Sequence, residues 1–187
     1  MSSLSAFIAE IESLKNIDRT GYKQRGIPQP ENVAEHSYST LWYALILATK
    51  ESADVEKTLK MALMHDIGEV RLGDFSYPMV QQYLSDQLKY ELDKQATWDV
   101  LDNLPAPLQE EMQAIFEEFL QRKTLEANIV HNADKLQMMG QIVEYEKMYS
   151  INFHDFWQFA DEYQWLASAR EIYDVLKKSR TIHQSTM

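Results

Sequence analysis

The segment Met61-Ala-Leu-Met-His65-Asp66-Ile-Gly-Glu69 places a histidine and a carboxylate directly after a run of four apolar residues. The apolar run predicts a buried helix, and Gly68 predicts that this helix falters there or a few residues later. Adjacent helical residues point about 100° apart, so His65 and Asp66 reach one point only near a helix end or bend. A buried carboxylate without a partner would cost several kcal/mol, and Asp66 therefore requires one.

Asp134 presents the same problem further along the chain, because its neighbours are also apolar. A divalent cation shared by the two carboxylates and by histidines would satisfy both segments. Two imidazoles and two carboxylates form a mixed nitrogen and oxygen ligand set, which suits zinc or a first-row transition metal with open positions. The candidate ligands are His36, His65, Asp66 and Asp134.

Helical periodicity extends over most of the chain on both sides of this segment. The stretch from Asp18 to Asn32, with two glycines and two prolines, is expected to be an ordered loop, and Gly73 to Pro78 a turn. No convincing β-strand and no internal repeat is visible. The prediction is a single all-α domain over residues 1–187, a helical bundle of six to seven main helices. The expected helices cover about 5–15, 33–50, 54–68, 85–104, a segment from the Pro105-Ala-Pro107 break to 123, 124–149 and 155–178.

Apolar residues predict which faces of these helices point inward. For the second helix, the residues expected to face the core are Val33, Trp42, Leu45, Ile46 and Thr49. For the third helix they are Leu59, Ala62 and Leu63. The last helix is apolar on two sides, which predicts either broad burial or a face shared with a second subunit.

Composition restricts the class of protein. Five glycines and five prolines in 187 residues are few, which favours long helices. The absence of cysteine excludes disulfides, thiolate metal sites and cysteine nucleophiles, and is compatible with a reducing compartment. The N-terminus lacks the features of a secretory signal, and the most apolar run, residues 41–49, is too short to cross a bilayer. We expect a cytoplasmic protein without a membrane partner.

The charge balance argues against a nucleic-acid polymer as partner. The chain has 18 basic and 29 acidic residues, a net charge of −11, and a field of that sign repels a nucleic-acid backbone. A small phosphate ester is compatible with this charge, because a local basic cluster outweighs the global field at short range. Such a cluster lies between residues 15 and 25 and consists of Lys15, Arg19, Lys23 and Arg25, with only Asp18 opposing it.

The familiar catalytic signatures are absent from the sequence: there is no dinucleotide fingerprint, no P-loop, no serine elbow and no H-E-x-x-H zinc motif. The histidine and carboxylate segments, taken in order, resemble the HD-domain metal-dependent phosphohydrolases. The matching segments are Glu31-Asn-Val-Ala-Glu-His36-Ser, the segment 61–69 quoted above, Leu72-Gly73-Asp74 and Asn132-Ala-Asp134-Lys-Leu.

Arg19-Thr-Gly-Tyr-Lys-Gln-Arg25 is similar to the branch of this family that contains 5′-deoxynucleotidases, and the resemblance covers about residues 15–148. It implies an HD-domain fold in which the four candidate ligands bind one divalent ion, Co²⁺, Mn²⁺, Fe²⁺, Ni²⁺ or Zn²⁺. It further implies that water activated by the metal hydrolyses a (deoxy)nucleoside 5′-monophosphate to nucleoside and inorganic phosphate. The family habit and the doubly apolar last helix together suggest a homodimer.

The resemblance also implies roles for residues around the ligands. Glu69 would orient or deprotonate the attacking water, and Asp74 would assist it or protonate the leaving oxygen. Arg19 would clamp the phosphate, because a guanidinium group matches phosphate oxygens as a bidentate fork. Arg25 is a second candidate for the phosphate, and Tyr22 is a candidate for contact with the base or sugar.

Each of these roles has a plainer alternative. Glu69 would otherwise be a solvent-exposed helix carboxylate, and Asp74 an ordinary turn residue. Arg25 would otherwise tie the loop to a carboxylate. Thr20 stands where some relatives carry a tryptophan, which leaves Tyr22 as the nearest aromatic residue.

Three further histidines lie outside the ligand set. His131, three residues before Asp134, either packs in the core or behind the ligands, or adds a fifth ligand. His154 and His183 lie near helix boundaries or in the tail, and we expect both at the surface.

Two other functions fit the same sequence. An HD-domain hydrolase acting on a nucleoside triphosphate, a cyclic nucleotide or an alarmone would keep the site and release a different product. A catalytically silent helical module for dimerisation or ligand sensing would keep the fold and often lose the metal. A product assay separates the first alternative, and elemental analysis separates the second.

Overall fold

The computed structural model describes residues 3–149 and 151–180, and the regular elements within these ranges are helices. An isolated bridge joins Asp18 and Asn32. The prediction of an all-α fold is confirmed, with more helices than expected. His183 lies outside the described residues, so its expected surface position stays a prediction. The helices are α1 (Ser3–Ser13), α2 (Thr20–Lys23), α3 (Val33–Glu51), α4 (Val55–Met64), α5 (Glu69–Leu72), α6 (Tyr77–Tyr83), α7 (Asp86–Leu101), α8 (Ala106–Gln121), α9 (Leu125–Met148), α10 (His154–Glu162) and α11 (Ala167–Lys178), with a 3-10 turn at Leu14–Asn16.

Helix α9 lies at the centre of the bundle and packs against α3, α4, α8, α10 and α11. Its side chains are buried around most of its circumference, including Ile129, Val130, Met139 and Ile142. A helix that is enclosed in this way needs apolar residues on every side rather than in one stripe. Asp134 therefore enters the interior of the protein from α9.

A reciprocal cap fixes the start of α3. The Asn32 side chain accepts a hydrogen bond from the Glu35 N–H at 3.0 Å, and the Glu35 carboxylate accepts one from the Asn32 N–H at 3.0 Å. Such a capping box satisfies two N–H groups that the first turn leaves without helical partners. It sets the register of α3 so that His36, in the first turn, is buried.

A bend separates α4 from α5 and carries the segment with which the sequence analysis began. Asp54 caps α4 by accepting from the Lys57 N–H, and the helix ends at Met64. The bend brings Gly68 against α7, where a Cβ atom on residue 68 would lie 2.8 Å from Thr97 Oγ1. The expected interruption near Gly68 is therefore present, with Asp66 inside it and Glu69 at the start of α5.

Two expected loop regions contain short helices. Helix α2 lies within the stretch from Asp18 to Asn32, and α6 begins within the expected turn that ends at Pro78. Proline is favoured in the first turn of a helix, because its missing N–H has no helical partner there. Pro78 therefore lies in the first turn of a helix and does not end the expected turn.

The expected last helix, 155–178, is two helices. α10 ends at Glu162 and α11 begins at Ala167. Two hydrogen bonds hold the chain between them: Leu166 N–H donates to Asn132 Oδ1 on α9 at 3.0 Å, and Trp165 Nε1 donates to the Ala160 carbonyl of α10 at 2.8 Å. These bonds compensate for the helical hydrogen bonds lost at the break.

The inward face of α3 differs from the expected one. Trp42 and Ile46 are 55% and 46% exposed, and Thr49 is exposed as well. The buried face follows His36 instead, with Thr40 and Ala44 at four-residue spacing. The polar residue His36 defines the buried face. A prediction from apolar residues alone was therefore wrong about which side of α3 points inward. Leu63 on α4, also expected in the core, is exposed.

Within the described ranges, none of the helices has both the length and the apolar character that a membrane span requires.

Candidate active site

The start of α3 and the bend after α4 bring His36, His65 and Asp66 together, and Asp134 on α9 contacts this group through His36. His36 Nε2 lies 3.2 Å from His65 Nε2, 3.4 Å from Asp66 Oδ2 and 3.3 Å from Asp134 Oδ1. His65 Nε2 and Asp66 Oδ2 are 3.3 Å apart. Donor atoms of His36, His65 and Asp66 all lie within 4.8 Å of one another. The bend after α4 thus allows the adjacent residues His65 and Asp66 to reach one point, which a straight helix would not permit.

These separations fit a shared metal ion. Nitrogen and oxygen ligands bind zinc and similar ions at about 2.0–2.2 Å. Two such ligands at neighbouring tetrahedral or octahedral positions are therefore about 2.8–3.6 Å apart. The distances measured between the donor atoms fall in this interval, so the residues present fit a divalent ion.

The second nitrogen of each imidazole is held so that Nε2 faces the other ligands. His65 Nδ1 donates to the Ala62 carbonyl at 2.8 Å. His36 Nδ1 meets Gln137 Oε1, an oxygen that can only accept. Both rings therefore carry a hydrogen on Nδ1, which leaves Nε2 as the nitrogen that would bind a metal.

The electrostatics of the metal-free chain also indicate a cation site. Burial and the charge of Arg19 oppose protonation of His36, yet hydrogen bonds with Asp134 and Asp66 outweigh them and raise its pKa to about 9. Burial likewise opposes ionisation of Asp66, but the neighbouring His65 and His36 hold its pKa well below the ordinary value. In the absence of a metal, a proton on the ligand cluster supplies the positive charge that the carboxylates attract.

Lys135 provides a further positive charge beside the cluster. Its Nζ lies 2.8 Å from Asp134 Oδ2. Burial opposes ionisation of Asp134, and Lys135 together with His36 outweighs it and keeps the pKa of this carboxyl well below its ordinary value. Asp134 thus stays ionised although it lies in the interior.

Arg19 connects the ligand cluster to Asp74. Its Nη1 lies 3.2 Å from Asp66 Oδ2 and 3.0 Å from Asp74 Oδ1. The next residue holds the same aspartate, because the Thr20 N–H donates to Asp74 Oδ2 at 2.6 Å and the Thr20 hydroxyl to the Asp74 carbonyl at 2.7 Å. The start of α2 and the chain after α5 therefore form one rigid edge of the site.

Glu69 faces the same space with an unused oxygen. Its Oε2 is buried and has no hydrogen-bond partner among the described residues. Burial, followed by repulsion from Asp66 and Asp74, raises the pKa of Glu69 well above the ordinary value. A buried carboxylate of this kind is suited to accept a proton from a bound water or substrate.

The site lies in a cavity of about 860 Å³. Ligand sites for small molecules have volumes of about 300–1,000 Å³. His65, Asp66 and Asp134 line this cavity together with Arg19 and Glu69. Aromatic residues along its wall include Tyr77, Phe156, Phe159 and Tyr163, with the Phe159 ring 5.8 Å from that of Tyr77 and 5.7 Å from that of Tyr163.

The other two expected substrate residues are held by the protein. Arg25 forms an ion pair with Asp155, donates to the Gly21 carbonyl at 3.0 Å and lies 4.3 Å above the Phe156 ring. Tyr22 is buried, and its hydroxyl donates to the Met138 carbonyl at 3.2 Å. Both residues line the cavity, so contact with a bound molecule remains a prediction for each.

His131 is engaged away from the close donor cluster. Its Nε2 donates to the Phe119 carbonyl at 3.2 Å, and its ring stacks on Phe119 with a centroid distance of 4.2 Å. Burial and the charge of Arg122 lower its pKa to about 3. This arrangement favours the core alternative over a fifth ligand. His154 is exposed, as expected.

Two buried polar residues behind His36 were missed in the sequence analysis. Gln137 meets His36 Nδ1, and its Nε2 donates to Glu31 Oε2 at 2.8 Å. A signal was present, because Gln137 follows Asp134 by about one turn on a helix that is otherwise apolar there. Glu31 belongs to the segment quoted for His36, but its spacing did not reveal that its side chain points inward.

A family model described as HD domain matches residues 11–171. The chain belongs to the HD-domain family. This membership confirms the resemblance to HD-domain phosphohydrolases that was stated from the sequence motifs.

Relatives within the HD-domain family include the 5′-deoxynucleotidase HDDC2 of Dictyostelium discoideum, which is 33% identical over 79% of this chain and 80% of its own. The 5′-deoxynucleotidase hdd1 of Schizosaccharomyces pombe is 30% identical over 79% of this chain and 75% of its own. Among solved structures, a conserved hypothetical protein from Pyrococcus furiosus has a TM-score of 0.76 and 34% identity, covering 93% of this chain and 97% of its own.

Proposed function

We propose that this HD-domain chain is a metal-dependent phosphomonoesterase that hydrolyses (deoxy)nucleoside 5′-monophosphates to nucleoside and inorganic phosphate. The observation that carries the proposal is the convergence of the His36, His65 and Asp66 donor atoms within 4.8 Å, next to the Arg19 guanidinium, in one cavity. The names of the Dictyostelium and Schizosaccharomyces relatives support the substrate class.

The metal would be held by His36, His65, Asp66 and Asp134. We propose a single divalent ion from the group Co²⁺, Mn²⁺, Fe²⁺, Ni²⁺ and Zn²⁺, because a mixed set of imidazoles and carboxylates suits all of them. When bound, such an ion supplies Lewis-acid chemistry, which neutralises phosphate charge and makes water more acidic.

Arg19 binds the phosphate in this proposal. Both of its ion pairs, to Asp66 and to Asp74, use Nη1. The N–H groups on its other nitrogens can therefore meet phosphate oxygens without breaking the contacts that orient the side chain. A guanidinium group fixed in advance loses little entropy when the substrate binds.

Glu69 accepts the proton of the attacking water. The water oxygen forms a bond to phosphorus while the bond from phosphorus to the 5′ oxygen breaks, and the proton passes through Glu69 to the leaving 5′ oxygen. The raised pKa of Glu69 makes this carboxylate a better proton acceptor than an ordinary glutamate, which suits a group that takes up and returns a proton. Asp74 assists by holding Arg19 and Thr20 at the edge of the site.

The nucleoside part would lie along the aromatic wall of the cavity, against Phe156, Phe159 and Tyr77, where flat rings can pack on the base. Arg25 and Tyr22 border this wall and are the proposed contacts to the substrate outside the metal cluster. The net charge of −11 is consistent with a small nucleotide rather than a polymer.

We further propose that the enzyme is a cytoplasmic homodimer. The cysteine-free sequence suits a reducing compartment, and Tyr38, Trp42 and Ile46 form an exposed apolar row on α3 at four-residue spacing.

A nucleotide panel tests the proposed reaction. Metal-free protein is supplied with Co²⁺, Mn²⁺, Fe²⁺, Ni²⁺ or Zn²⁺ and with one substrate at a time: a ribo- or deoxyribonucleoside monophosphate, a nucleoside triphosphate, a cyclic nucleotide or an alarmone. All products are measured. We expect inorganic phosphate and nucleoside in equal amounts from at least one monophosphate, only with metal, and none from His65→Ala. Release of pyrophosphate from triphosphates, opening of cyclic nucleotides or loss of alarmone would indicate the other enzymatic function. Inactivity with every pair would contradict both.

A further inference from the structure

A buried polar chain leads away from His36 on the side opposite to the other ligands. It runs from His36 Nδ1 to Gln137 Oε1, and from Gln137 Nε2 to Glu31 Oε2 at 2.8 Å. The three residues are 0%, 3% and 7% exposed. Buried polar groups are costly unless they are paired, and no step of the proposed reaction uses Gln137 or Glu31.

With Glu31 ionised, the order of donors and acceptors along the chain has one solution. An ionised Glu31 carboxylate can only accept, so the Gln137 group that faces it must be the NH₂ group. The Gln137 oxygen then faces His36 and can only accept as well. His36 must therefore carry a hydrogen on Nδ1, which leaves Nε2, where the other candidate ligands converge, as the nitrogen available to a metal. Glu31 supports this arrangement through Gln137, and its own Oε1 lies 3.8 Å from His36 Nδ1.

The backbone of Glu31 is fixed on both sides. Its N–H donates to the Tyr145 hydroxyl at 2.7 Å, and its carbonyl accepts from the Arg19 N–H at 3.0 Å. The next residue, Asn32, caps the helix that carries His36. Glu31 therefore contacts two parts of the site. Its backbone carbonyl binds the Arg19 N–H, and its side chain binds Gln137, which contacts the candidate ligand His36.

We propose that Gln137 and Glu31 are positioning residues for the metal ligand His36: they hold its ring in the tautomer that binds the ion, and Glu31 links that ligand to the Arg19 segment. The inference rests on the metal site of the proposed function. Groups that support a metal-bound histidine in this way typically change metal affinity by about 10- to 100-fold when they are removed.

Co²⁺ binding tests the inference without any substrate. Metal-free wild-type protein and variants are titrated with Co²⁺ by calorimetry, and the visible absorption of the bound Co²⁺ is recorded. Gln137→Leu removes the acceptor, so we expect Co²⁺ to bind about 10- to 100-fold more weakly, with an altered spectrum. Glu31→Gln leaves the Gln137 amide free to turn over, and a smaller loss is expected.

An exchanged pair separates positioning from packing. In the double variant Glu31→Gln with Gln137→Glu, a carboxylate accepts from His36 Nδ1 and an amide at position 31 donates to it, with total charge and size unchanged. We expect the double variant to recover affinity and spectrum relative to Gln137→Glu alone, which sets two carboxylates against each other. It also carries the test if Gln137→Leu does not fold.

Glu146→Gln on the same helix is the matched control. Glu146 is another buried glutamate, and it accepts from Trp157 Nε1 at 3.0 Å and from Arg180. Its change should leave Co²⁺ affinity near the wild-type value. Wild-type affinity in Gln137→Leu, or an equal loss in Glu146→Gln, would overturn the inference. A wild-type protein that binds Co²⁺ but releases no phosphate would contradict only the proposed function.

Discussion

A single oxygen of Asp66 joins the two halves of the site. Oδ2 lies 3.3 Å from His65 Nε2, 3.4 Å from His36 Nε2 and 3.2 Å from Arg19 Nη1. The same atom therefore belongs to the ligand cluster and orients the proposed phosphate-binding arginine. Substitutions around Asp66 should affect metal binding, phosphate binding and proton transfer separately. In the proposed function the candidate ligands bind the metal, Arg19 binds the phosphate and Glu69 transfers the proton.

Arg19→Lys should weaken phosphate binding without loss of the metal. Lysine keeps the charge but not the planar fork, and hydrogen bonds to charged groups contribute about 1.5–3 kcal/mol. We expect kcat/KM to fall about 10- to 100-fold with bound metal unchanged, measured by phosphate release and elemental analysis. Lys23→Ala, in the same basic cluster but exposed and paired with Asp18, should have wild-type kinetics. Unchanged kcat/KM in Arg19→Lys would rule out the phosphate role.

Glu69→Gln should affect the chemical step. The amide keeps the shape of the side chain but cannot take up the proton of the attacking water. We expect kcat to fall about 10²- to 10⁴-fold with little change in KM, which is typical for the loss of a general base. Glu56→Gln, an exposed carboxylate on α4, serves as the control. A loss in kcat below about tenfold would assign Glu69 to the alternative of an ordinary helix carboxylate.

His131 should make the metal-free fold sensitive to acid. Its pKa is lowered to about 3 in the folded chain, whereas an unfolded histidine titrates near pH 6.5. Between these values the unfolded chain binds the extra proton, so the unfolding free energy falls as pH falls, by up to about 1.4 kcal/mol per pH unit. Urea unfolding from pH 6.5 to 4 should show a weaker pH dependence for His131→Gln than for wild type. The same weakening in His154→Gln, an exposed control, would contradict this assignment.

The residues of the site differ in how far the sequence could predict them. His65, Asp66 and Asp134 follow from buried charge alone, because apolar neighbours force them inward, and the family motif adds His36, Glu69 and Arg19. Gln137 and Glu31 could not be found in this way. Their pairing joins residues far apart in the chain, and neither residue type signals a ligand contact by itself.

At the scale of elements, the bend between α4 and α5 determines the site. It ends α4 at Met64, turns Asp66 toward the ligands and starts α5 at Glu69. Gly68 allows this bend to lie against α7, since a Cβ atom there would be 2.8 Å from Thr97 Oγ1 and 3.3 Å from Ala96 Cβ. The close approach of two helices, rather than backbone conformation, requires the glycine.

Gly68→Ala should therefore destabilise the fold by overpacking. A methyl group in this contact has to push α5 away from α7, at a cost of about 1–3 kcal/mol. Chemical denaturation of metal-free protein measures the loss. Thr97→Ala removes the nearest atom, so the double variant should recover part of the stability lost in Gly68→Ala, as a double-mutant cycle would show. Wild-type stability of Gly68→Ala would contradict the tight contact.

The helices that the sequence predicted well were long and periodic, such as α9, whose Thr124 cap is present. The errors came from tertiary contacts. α10 and α11 are separated because Asn132 on another helix accepts from the Leu166 N–H, which periodicity within the segment could not reveal. The face of α3 was placed wrongly because the burial of His36 outweighs the apolar character of Trp42.

At the scale of the whole molecule, the fold encloses the site by wrapping α3, α4, α8, α10 and α11 around α9. One candidate ligand comes from α3, two come from the bend after α4, and one comes from α9, so an ion bound by all four would hold these segments together. The protein is acidic overall, yet Arg19 and Lys135 stand beside the ligands. The local positive charge would attract the phosphate of the proposed substrate, whereas the overall negative charge opposes the binding of a nucleic-acid polymer.

The most direct measurement is phosphate release from a deoxynucleoside 5′-monophosphate as metal-free protein is titrated with Co²⁺. For wild type, the rate should rise in proportion to the bound ion and level off at about one ion per chain, as expected for a single shared site. Asp134→Asn should bind Co²⁺ weakly and release almost no phosphate. Full activity without any metal, or wild-type activity in Asp134→Asn, would contradict a metal-dependent phosphomonoesterase built on these four ligands.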